Sequence, residues 1–271
     1  MHDKACINFL QHYLPELGYR WKGFRKVRNQ VCKRIYRRIK ELNLAGIQVY
    51  TDYLENHREE RKVLDAMFNI TISRFYRDRG VFDSIASIVF PSLVEGAGQN
   101  QQEQIRCWSA GSASGEEAYT LTMIWKMADF PGPGRDLSLQ IIATDRNAQL
   151  IERAEKGIYP GGALKELPQE WKNQVFEVNE KQYQIKNEFR QEVQFLNQDI
   201  RAELPEGTFD LILCRNLVFT YFQDDLQKDV LKRIMTKMSP DGYLIIGNHE
   251  SLPEGQEDLV FIEKCIYRKR D

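Results

Sequence analysis

The fold is decided by the stretch Ile105-Arg106-Cys107-Trp108-Ser109-Ala110-Gly111-Ser112-Ala113-Ser114-Gly115-Glu116-Glu117-Ala118-Tyr119-Thr120-Leu121. It begins as a short buried strand, continues as a loop of small residues and ends in the start of a helix. A strand, a loop and a helix in this order place a ligand at the carboxyl end of a parallel strand. The stretch therefore predicts an α/β fold with a Rossmann-like sheet.

The loop also indicates the charge of its ligand. Gly111 and Gly115 lie four residues apart, which is not the three-glycine pattern of a dinucleotide site. A helix N-terminus usually suits a phosphate, but Glu116 and Glu117 would repel one. They favour a ligand with a positive amino group, and S-adenosylmethionine (SAM) fits better than NAD or ATP. The alternative is an ordinary strand-turn-helix whose acids only complement the helix dipole.

The second predicted strand, residues 139–144, ends at Asp145. An acid at this position is the expected partner of ribose hydroxyls in a nucleotide-type fold, and a carboxylate accepts from two hydroxyls at once. Asp145 follows Gly111 by 34 residues rather than about 20, and the Pro/Gly loop at 131–136 accounts for the excess. Alternatively, Asp145 only caps the helix that begins near Asn147.

Two further strands are expected to end at the same edge. Residues 209–216 should lie beside the first strand with Asn216 at the ligand edge, and residues 243–247 lead into Asn248-His249-Glu250. Residues 259–267 predict one last, antiparallel strand. Between them, a small β insertion at about 160–196 is predicted to hold strands at 176–178, 183–185 and 193–195. It is either a docking site by strand addition or a decorative hairpin.

Residues 1–80 are predicted to form a helical N-terminal domain, and residues 81–271 the α/β domain. The segment 20–40 has no acid, and its apolar residues recur at helical spacing. It is either a solvated face paired with acids elsewhere or a docking face for an acidic protein or a phosphate backbone. Its basic residues are Arg20, Lys22, Arg25, Lys26, Arg28, Lys33, Arg34, Arg37, Arg38 and Lys40.

The composition sets broad limits. Of 271 residues, 42% are hydrophobic and 28% charged, with a net charge of −1, so global charge predicts no partner. No apolar run approaches the roughly 18 residues of a membrane helix, and the N-terminus lacks the pattern of a signal peptide. We expect the five cysteines to be free thiols in a reducing cytoplasm, and the histidine and cysteine spacing predicts no metal site.

With these motifs in place, the chain resembles the chemoreceptor methyltransferase (CheR) family from about residue 14 to 267. The resemblance implies SAM as the methyl donor, S-adenosylhomocysteine as product, glutamate side chains of receptor proteins as acceptors, and the helical domain, sheet and β insertion inferred above. It is carried by Phe75-Tyr76-Arg77-Asp78, the loop 108–119, Ala143-Thr144-Asp145 with residues 154–159, residues 209–216 with Tyr221-Phe222, and Gly247 with Glu250-Ser251.

Residue by residue, the resemblance implies a cofactor site and a transfer site. Thr71, Ser73 and Arg77 would line the methionine end, Arg77 and Tyr221 being the catalytic pair. The Ala110-Gly111 turn would approach the cofactor, Glu116 would take its amino group and Asp145 its ribose. Its adenine and remaining edges would contact Asp199, Ile200, Arg215 and Asn216. Ala118, Asp199 and the extra residue before Tyr221 depart from the family pattern, which suggests a divergent member.

We expect protein carboxyl methylation, with the segment 20–40 docking an acidic acceptor. A glutamate is already ionised at neutral pH and needs no general base, so Arg77 need only orient it. An amine or hydroxyl acceptor would need a base, for which His249 and Glu250 are the evident candidates. The alternatives are a methyltransferase acting on a small molecule or, less favoured, on RNA, and a SAM-binding regulatory module without turnover.

Overall fold

The computed structural model describes residues 2–131 and 136–270. The chain forms two compact units. Unit 1 comprises Met1–Thr71 with Thr220–Gln227, and unit 2 comprises Ile72–Phe219 with Lys228–Asp271. These units are defined by contacts within the folded chain. That residues 1–80 and 81–271 are separate domains stays a prediction.

Unit 1 is built from helices, as the sequence predicts. The predicted amphipathic helix is present: α3 buries Val31, Cys32, Ile35 and Ile39 on one face, which are the positions expected from the helical period. The helices before residue 72 are α1 (His2–Glu16), α2 (Trp21–Phe24), α3 (Arg28–Glu41), α4 (Ile47–Asn56) and α5 (Glu60–Met67).

The prediction that all five cysteines are free thiols is wrong. Cys6 in α1 and Cys32 in α3 form a disulfide, with their Cα atoms 6.1 Å apart. The two residues are 26 positions apart, so a search for closely spaced pairs does not find them. They meet because α1 packs against α3. Cys107, Cys214 and Cys265 are free and buried.

Unit 2 alternates strands and helices. Its elements begin with α6 (Arg79–Ser84), a π-helical turn (Ile85–Val89), α7 (Phe90–Gln99), β1 (Gln104–Ala110), α8 (Glu116–Met127), β2 (Ser138–Asp145), α9 (Ala148–Lys156), β3 (Ile158–Pro160), α10 (Gln169–Val175), β4 (Phe176–Asn179) and β5 (Gln182–Ile185). They continue with α11 (Asn187–Arg190), β6 (Val193–Asn197), β7 (Phe209–Cys214), α12 (Val218–Tyr221), α13 (Asp224–Lys237), β8 (Met238–Ile246), β9 (Leu259–Glu263) and β10 (Ile266–Lys269). The end of α12 and the start of α13 belong to unit 1, which includes Thr220–Gln227.

The main sheet has seven strands in the order β6-β2-β1-β7-β8-β10-β9. The strands from β6 to β8 are parallel, and β10 is antiparallel to both β8 and β9. The prediction that residues 209–216 lie beside the first strand is confirmed. The fold is therefore α/β with a Rossmann-like sheet. The strand order changes direction at β1, and a crevice that can hold a ligand forms at such a point.

Two strand predictions need correction. Residues 193–197 are not part of the small insertion: β6 pairs in parallel with β2 at the edge of the main sheet. The small sheet is instead β3-β5-β4. The last strand is a hairpin, β9 and β10, rather than one strand over 259–267. Short apolar runs predict strands but do not identify the partner strand, which accounts for the first difference. The second arises because Lys264 and Cys265 form a turn within the run 259–267.

One helix of the described residues is long and apolar enough to cross a membrane by length and composition, contrary to the expectation from the sequence. It runs from Arg79 to Gln99 with a mean hydropathy of 1.3, and half of it is buried inside the fold. Phe90 contacts the ring of Trp125 at 5.2 Å, and α7 packs on β1. These contacts are those of a core helix of unit 2.

Candidate cofactor site

The carboxyl ends of the parallel strands bring the predicted residues of unit 2 to one edge. Ala110 is in register with Thr144, Asp145 with Asn197, and Cys214 with Ile246. The loops that follow β1, β2, β7 and β8 therefore begin side by side. This edge is where a ligand binds in an open parallel sheet.

The loop after β1 is held close to the end of β2 by backbone bonds. The N–H groups of Gly111 and Ser112 both donate to the Thr144 carbonyl, at 2.8 and 2.9 Å. Gly111 has φ +73°, and a Cβ there would lie 2.6 Å from Leu217 Cδ2. Gly115 has φ +86°, and a Cβ there would lie 2.9 Å from the Phe195 ring. Both positions therefore require glycine for conformation, and Gly115 also for space, because a Cβ there would lie 3.0 Å from Ala154 Cβ as well.

The two adjacent acids at the start of α8 have different surroundings. Glu117 accepts from Arg215 Nη1 at 2.9 Å and from Ser109 Oγ at 2.8 Å. Glu116 is 2% exposed, and its carboxylate accepts only from Ser114 Oγ, at 2.9 and 3.0 Å, within the described residues. No cation there lies within ion-pair distance of Glu116. The resemblance already assigns the amino-group role to Glu116 and not to Glu117, and the structure adds the pairing of Glu117 with Arg215.

Helix dipole stabilisation does not account for Glu116. The dipole contributes at most about 2 kcal/mol to a carboxylate in the first turn, whereas removing an ion from water costs several kcal/mol. Ser112 Oγ is also buried and has no hydrogen-bond partner within the described residues. Glu116 is therefore a buried carboxylate whose charge is balanced by no cation among the described residues.

Tyr159, in β3 of the small sheet, is hydrogen-bonded to the loop that precedes Glu116. Its hydroxyl donates to the Ser114 carbonyl at 2.5 Å, which fixes the residue whose side chain binds Glu116. Burial and the nearby charge of Glu116 raise the pKa of Tyr159 well above its ordinary value. Tyr159 therefore stays a neutral hydrogen-bond donor.

Asp145, at the end of β2, stabilises the loop that follows β1. Its Oδ2 accepts from the Ala113 N–H at 3.0 Å, and its Oδ1 from the Asn147 N–H at 2.8 Å. The N-cap of α9 is Asn147 itself, whose side chain accepts from the N–H of Gln149, so Asp145 is not the helix cap. The bonds from the Ala113 and Asn147 N–H groups hold the Asp145 carboxylate at the end of β2, beside the loop that follows β1.

Arg215 is buried and links several segments of the site by ion pairs and hydrogen bonds. Its side chain is 3% exposed and pairs with Glu117 and with Asp78, at 2.9 and 2.6 Å. Its Nη2 also donates to the Arg77 carbonyl at 3.3 Å, and its guanidinium stacks on the Phe82 ring. The guanidinium thus ties α8 and β7 to the segment that carries Arg77. Sequence reasoning missed this pairing because the partners are 98 and 137 residues away.

Arg77 itself is half exposed. Its Nη1 donates to the Ile72 carbonyl, and its Nε lies 4.0 Å from Asp78 Oδ2. Ser73 is half-buried in the same segment, which is anchored by the bond from the Phe75 N–H to the Ala163 carbonyl. Thr71 and Tyr221 belong to unit 1. There, the Tyr221 ring contacts Phe24, with the centroids 4.9 Å apart.

Asp199 is paired within the chain. Its carboxylate accepts from Arg201 Nε and Nη2, at 3.0 and 2.5 Å, and lies 4.0 Å from Arg146. Burial alone would raise the pKa of Asp199, but the hydrogen bonds from Arg201 and the charges of Arg201 and Arg146 lower it below its ordinary value. Ile200, next to it, is buried.

Glu250 joins the ends of β7 and β8. Its Oε2 accepts from the N–H of Gly247 at 2.6 Å and from the N–H of Asn216 at 2.9 Å. Asn216 has φ +55°, a left-handed conformation that needs outside support in most residues. A Cβ on Gly247 would lie within 3 Å of both side chains. Glu250 therefore stabilises the turn that presents Asn216, whereas His249 is exposed.

Replacing Glu250 with alanine should release this turn. The Asn216 and Gly247 N–H groups would lose a charged acceptor, and a hydrogen bond of this kind contributes about 1.5–3 kcal/mol. We expect amide hydrogen exchange at both residues to accelerate roughly ten- to hundredfold. His249→Ala, one residue away, should leave both rates unchanged. Unaltered protection in Glu250→Ala would contradict the assigned role of Glu250.

Comparison with known proteins identifies the family. Residues 71–267 match the family described as CheR methyltransferase, SAM binding domain. A chemotaxis protein methyltransferase of Escherichia coli is 30% identical over 250 residues, which is 89% of this chain and 82% of that protein. One of Borreliella burgdorferi is 29% identical, over 84% of this chain and 82% of that protein.

A longer relative shows the same likeness over a part of its length. An uncharacterised 104.1 kDa protein of Rhodobacter capsulatus is 33% identical over 229 residues, which is 84% of this chain but 24% of that protein. The family match itself spans more than half of the present chain. The chain belongs to the CheR methyltransferase family, and the strand edge described above is part of a SAM-binding methyltransferase domain.

Proposed function

We propose that this SAM-dependent methyltransferase esterifies glutamate carboxylates of an acidic protein acceptor, and that Glu116 binds the amino group of SAM. The buried, unpaired Glu116 carboxylate is the observation that carries the assignment of the cofactor site. A cationic amino group within hydrogen-bond distance would supply the missing partner. The orphaned hydroxyl of Ser112 provides a further polar contact for the same end of the cofactor.

The remaining assignments follow the strand edge. Gly111, after Ala110, allows the close approach of the cofactor, and Asp145 accepts from the ribose hydroxyls. We propose that Asn216 meets the adenine side with Ile200, while Thr71 and Ser73 line the methionine end. Because the Asp199 and Arg215 side chains are engaged in ion pairs, we propose that they contribute mainly through their backbone and by holding their neighbours.

The transfer step makes few demands on the protein. SAM, when bound, supplies a methyl group on a sulfonium with a neutral leaving group, so the chain chiefly positions the acceptor. Glutamate has a reference pKa near 4.3 and is ionised at neutral pH. The half-exposed guanidinium of Arg77 suits a carboxylate, and we propose that Tyr221 donates a hydrogen bond beside it. An amine or hydroxyl acceptor would need a base, but Glu250 already accepts two backbone N–H groups.

The basic segment of unit 1 suits an acidic acceptor, although only part of it is available. Arg20 pairs with Asp224, Arg34 donates to the carbonyls of Met67 and Asn69, and Arg38 pairs with the buried Glu60. Arg28 bonds the Arg25 carbonyl. The other six are exposed and have no carboxylate partner within the described residues: Lys22, Arg25, Lys26, Lys33, Arg37 and Lys40. We name these six the basic patch.

The names of the relatives favour a protein of chemotaxis signalling as the methyl acceptor. Those of Escherichia coli and Borreliella burgdorferi are chemotaxis protein methyltransferases. We therefore propose a signalling protein with exposed glutamates, such as a chemoreceptor, in the cytoplasm. The buried thiols of Cys107, Cys214 and Cys265 are in keeping with a reducing compartment, while the Cys6–Cys32 disulfide is unusual there.

Glu116→Gln tests the amino-group assignment. The variant keeps the size of the side chain but removes its charge. We expect SAM to bind about ten- to hundredfold more weakly by calorimetry, since a hydrogen bond to a charged group contributes about 1.5–3 kcal/mol. 5′-Methylthioadenosine, which lacks the amino acid part, should bind the variant and the wild type equally.

Asp145→Ala is the matched comparison for that experiment. It should remove measurable binding of both ligands, because both carry the ribose. Equal loss of SAM and 5′-methylthioadenosine in Glu116→Gln would show a general disturbance of the site and would contradict the assignment. Unchanged SAM affinity would contradict it as well.

Reversing four charges of the basic patch tests acceptor docking. In Lys26→Glu, Lys33→Glu, Arg37→Glu and Lys40→Glu combined, a fluorescent glutamate-rich peptide should bind about tenfold or more weakly, since exposed charge pairs contribute a few tenths of a kcal/mol each. SAM affinity should not change. Reversal of four exposed lysines elsewhere, Lys62, Lys165, Lys228 and Lys232, serves as the control. A similar loss in both variants would refute a specific docking face.

A further inference from the structure

The turn that carries Arg77 has an unusual backbone. Arg77 lies between Tyr76, with φ +57°, and Asp78, with φ +63°. A left-handed conformation is uncommon outside glycine, and for a side chain as bulky as tyrosine it is an outlier. Such residues persist only where the surrounding structure imposes the conformation. The contacts of Tyr76 and Asp78 therefore decide where the Arg77 side chain begins.

Arg215 holds the Asp78 end of this turn. Its Nη2 donates to the Asp78 carboxylate at 2.6 Å and to the Arg77 carbonyl at 3.3 Å. The Asp78 carbonyl accepts from the Val81 N–H at 2.8 Å, which joins the turn to α6. Because Arg215 directly follows β7, this end of the turn is anchored to the end of that strand.

Thr120 of α8 holds the Tyr76 end. Tyr76 is buried, and its backbone N–H donates to Thr120 Oγ1 at 3.2 Å. Its ring contacts the rings of Phe82 and Trp171, with centroids 5.5 and 5.4 Å apart. Its hydroxyl donates to Asp83 Oδ1 at 2.9 Å. The contacts of the ring and the hydroxyl fix the side chain, whereas the bond to Thr120 fixes the backbone at the left-handed residue.

The same hydroxyl of Thr120 also bonds the start of α8. Thr120 is fully buried, and its Oγ1 donates to the Glu116 carbonyl, one helical turn earlier, at 2.6 Å. A hydroxyl has one hydrogen to donate and can accept at the same time, so a single group makes both bonds. The hydroxyl thus links the backbone of Glu116 to the backbone next to Arg77.

We propose that Thr120 is a positioning residue for methyl transfer: its hydroxyl fixes the turn at 76–78, and so the Arg77 guanidinium, relative to Glu116. The inference rests on the proposed function, in which Glu116 binds the amino group of SAM and Arg77 orients the acceptor carboxylate. The methyl donor and the acceptor must be held at a set separation. A shift of the turn therefore slows the transfer even when SAM still binds.

A second threonine of α8 provides the matched control. Thr122 is also fully buried, and its Oγ1 donates to the Ala118 carbonyl, again one turn earlier, at 3.3 Å. Within the described residues, this hydroxyl accepts from no N–H of another segment. Thr122→Val therefore removes only a bond inside the helix, whereas Thr120→Val also removes the acceptor of the Tyr76 N–H. Valine resembles threonine in shape and in helix propensity.

Amide hydrogen exchange tests the contact without turnover. In Thr120→Val the Tyr76 amide should exchange about tenfold or more faster, because a buried donor is left without its acceptor. Thr122→Val should leave this rate unchanged. Thr120→Ser, which keeps the hydroxyl, should keep the protection. Equal exchange at Tyr76 in Thr120→Val and Thr122→Val would overturn the proposal.

Turnover tests the positioning role. With methyl-labelled SAM at saturation and the protein of a cell extract as acceptor, the rate of alkali-labile labelling should fall about tenfold or more in Thr120→Val. Its SAM affinity by calorimetry should stay that of the wild type, and Thr120→Ser should recover the rate. Thr122→Val should react at the wild-type rate. Equal rates in Thr120→Val and Thr122→Val, or a loss in Thr120→Val explained by weaker SAM binding, would contradict a positioning role.

A double-mutant cycle with Arg77→Ala shows whether Thr120 acts through Arg77. If it does, Thr120→Val should slow the reaction no further once Arg77 has been replaced. Additive losses would overturn the proposal and leave the role of Arg77 intact. An unchanged rate in Arg77→Ala alone is a different result: it would contradict the proposed function of Arg77 itself, and with it the catalytic part of this inference.

Discussion

A buried carboxylate that pairs with no cation among the described residues is the constraint on which the proposed amino-group site depends. Glu116 sits at the start of α8, almost fully removed from water, with one hydroxyl group as its donor. The surrounding residues maintain this state: Gly111 and Gly115 let the loop turn tightly, and Tyr159 fixes Ser114. This state is what the proposed binding of a positive amino group requires, because an internal cation would compete for Glu116, and an unbalanced buried charge lowers the stability of the fold without ligand.

The neighbouring acid shows how two adjacent glutamates acquire different roles. Glu117 neutralises Arg215, which also binds Asp78 and the Arg77 carbonyl. In this network the buried Arg215 pairs with Glu117, and it links the segment that carries Arg77 to the end of β7. Glu250 holds Asn216 in its left-handed turn. The chemistry then requires positioning more than acid–base catalysis.

The sequence predicted the parts of this structure that depend on local patterns. Apolar runs ending in small or polar residues located β1, β2, β7 and β8, and their common edge followed from the rules for parallel sheets. The sequence did not predict the partner of β6, because the residues of an apolar strand do not indicate which strand lies beside it. The Cys6–Cys32 disulfide, the engaged arginines of the segment 20–40 and the Glu117–Arg215 pair depend on contacts between distant residues. The resemblance had already singled out Glu116, but the engagement of Glu117 by Arg215 is known only from the structure.

The most direct test of carboxyl methylation follows the methyl group itself. The enzyme is incubated with methyl-labelled SAM and a cell extract, which is then separated into protein, RNA and small-molecule fractions. A glutamyl methyl ester hydrolyses in mild alkali, while N-methyl and ribose O-methyl groups do not. We predict label in the protein fraction that is released as methanol by mild alkali and that is reduced about ten- to hundredfold with Glu116→Gln at a SAM concentration below the wild-type Kd. Alkali-stable label, or label confined to RNA or small molecules, would contradict the account.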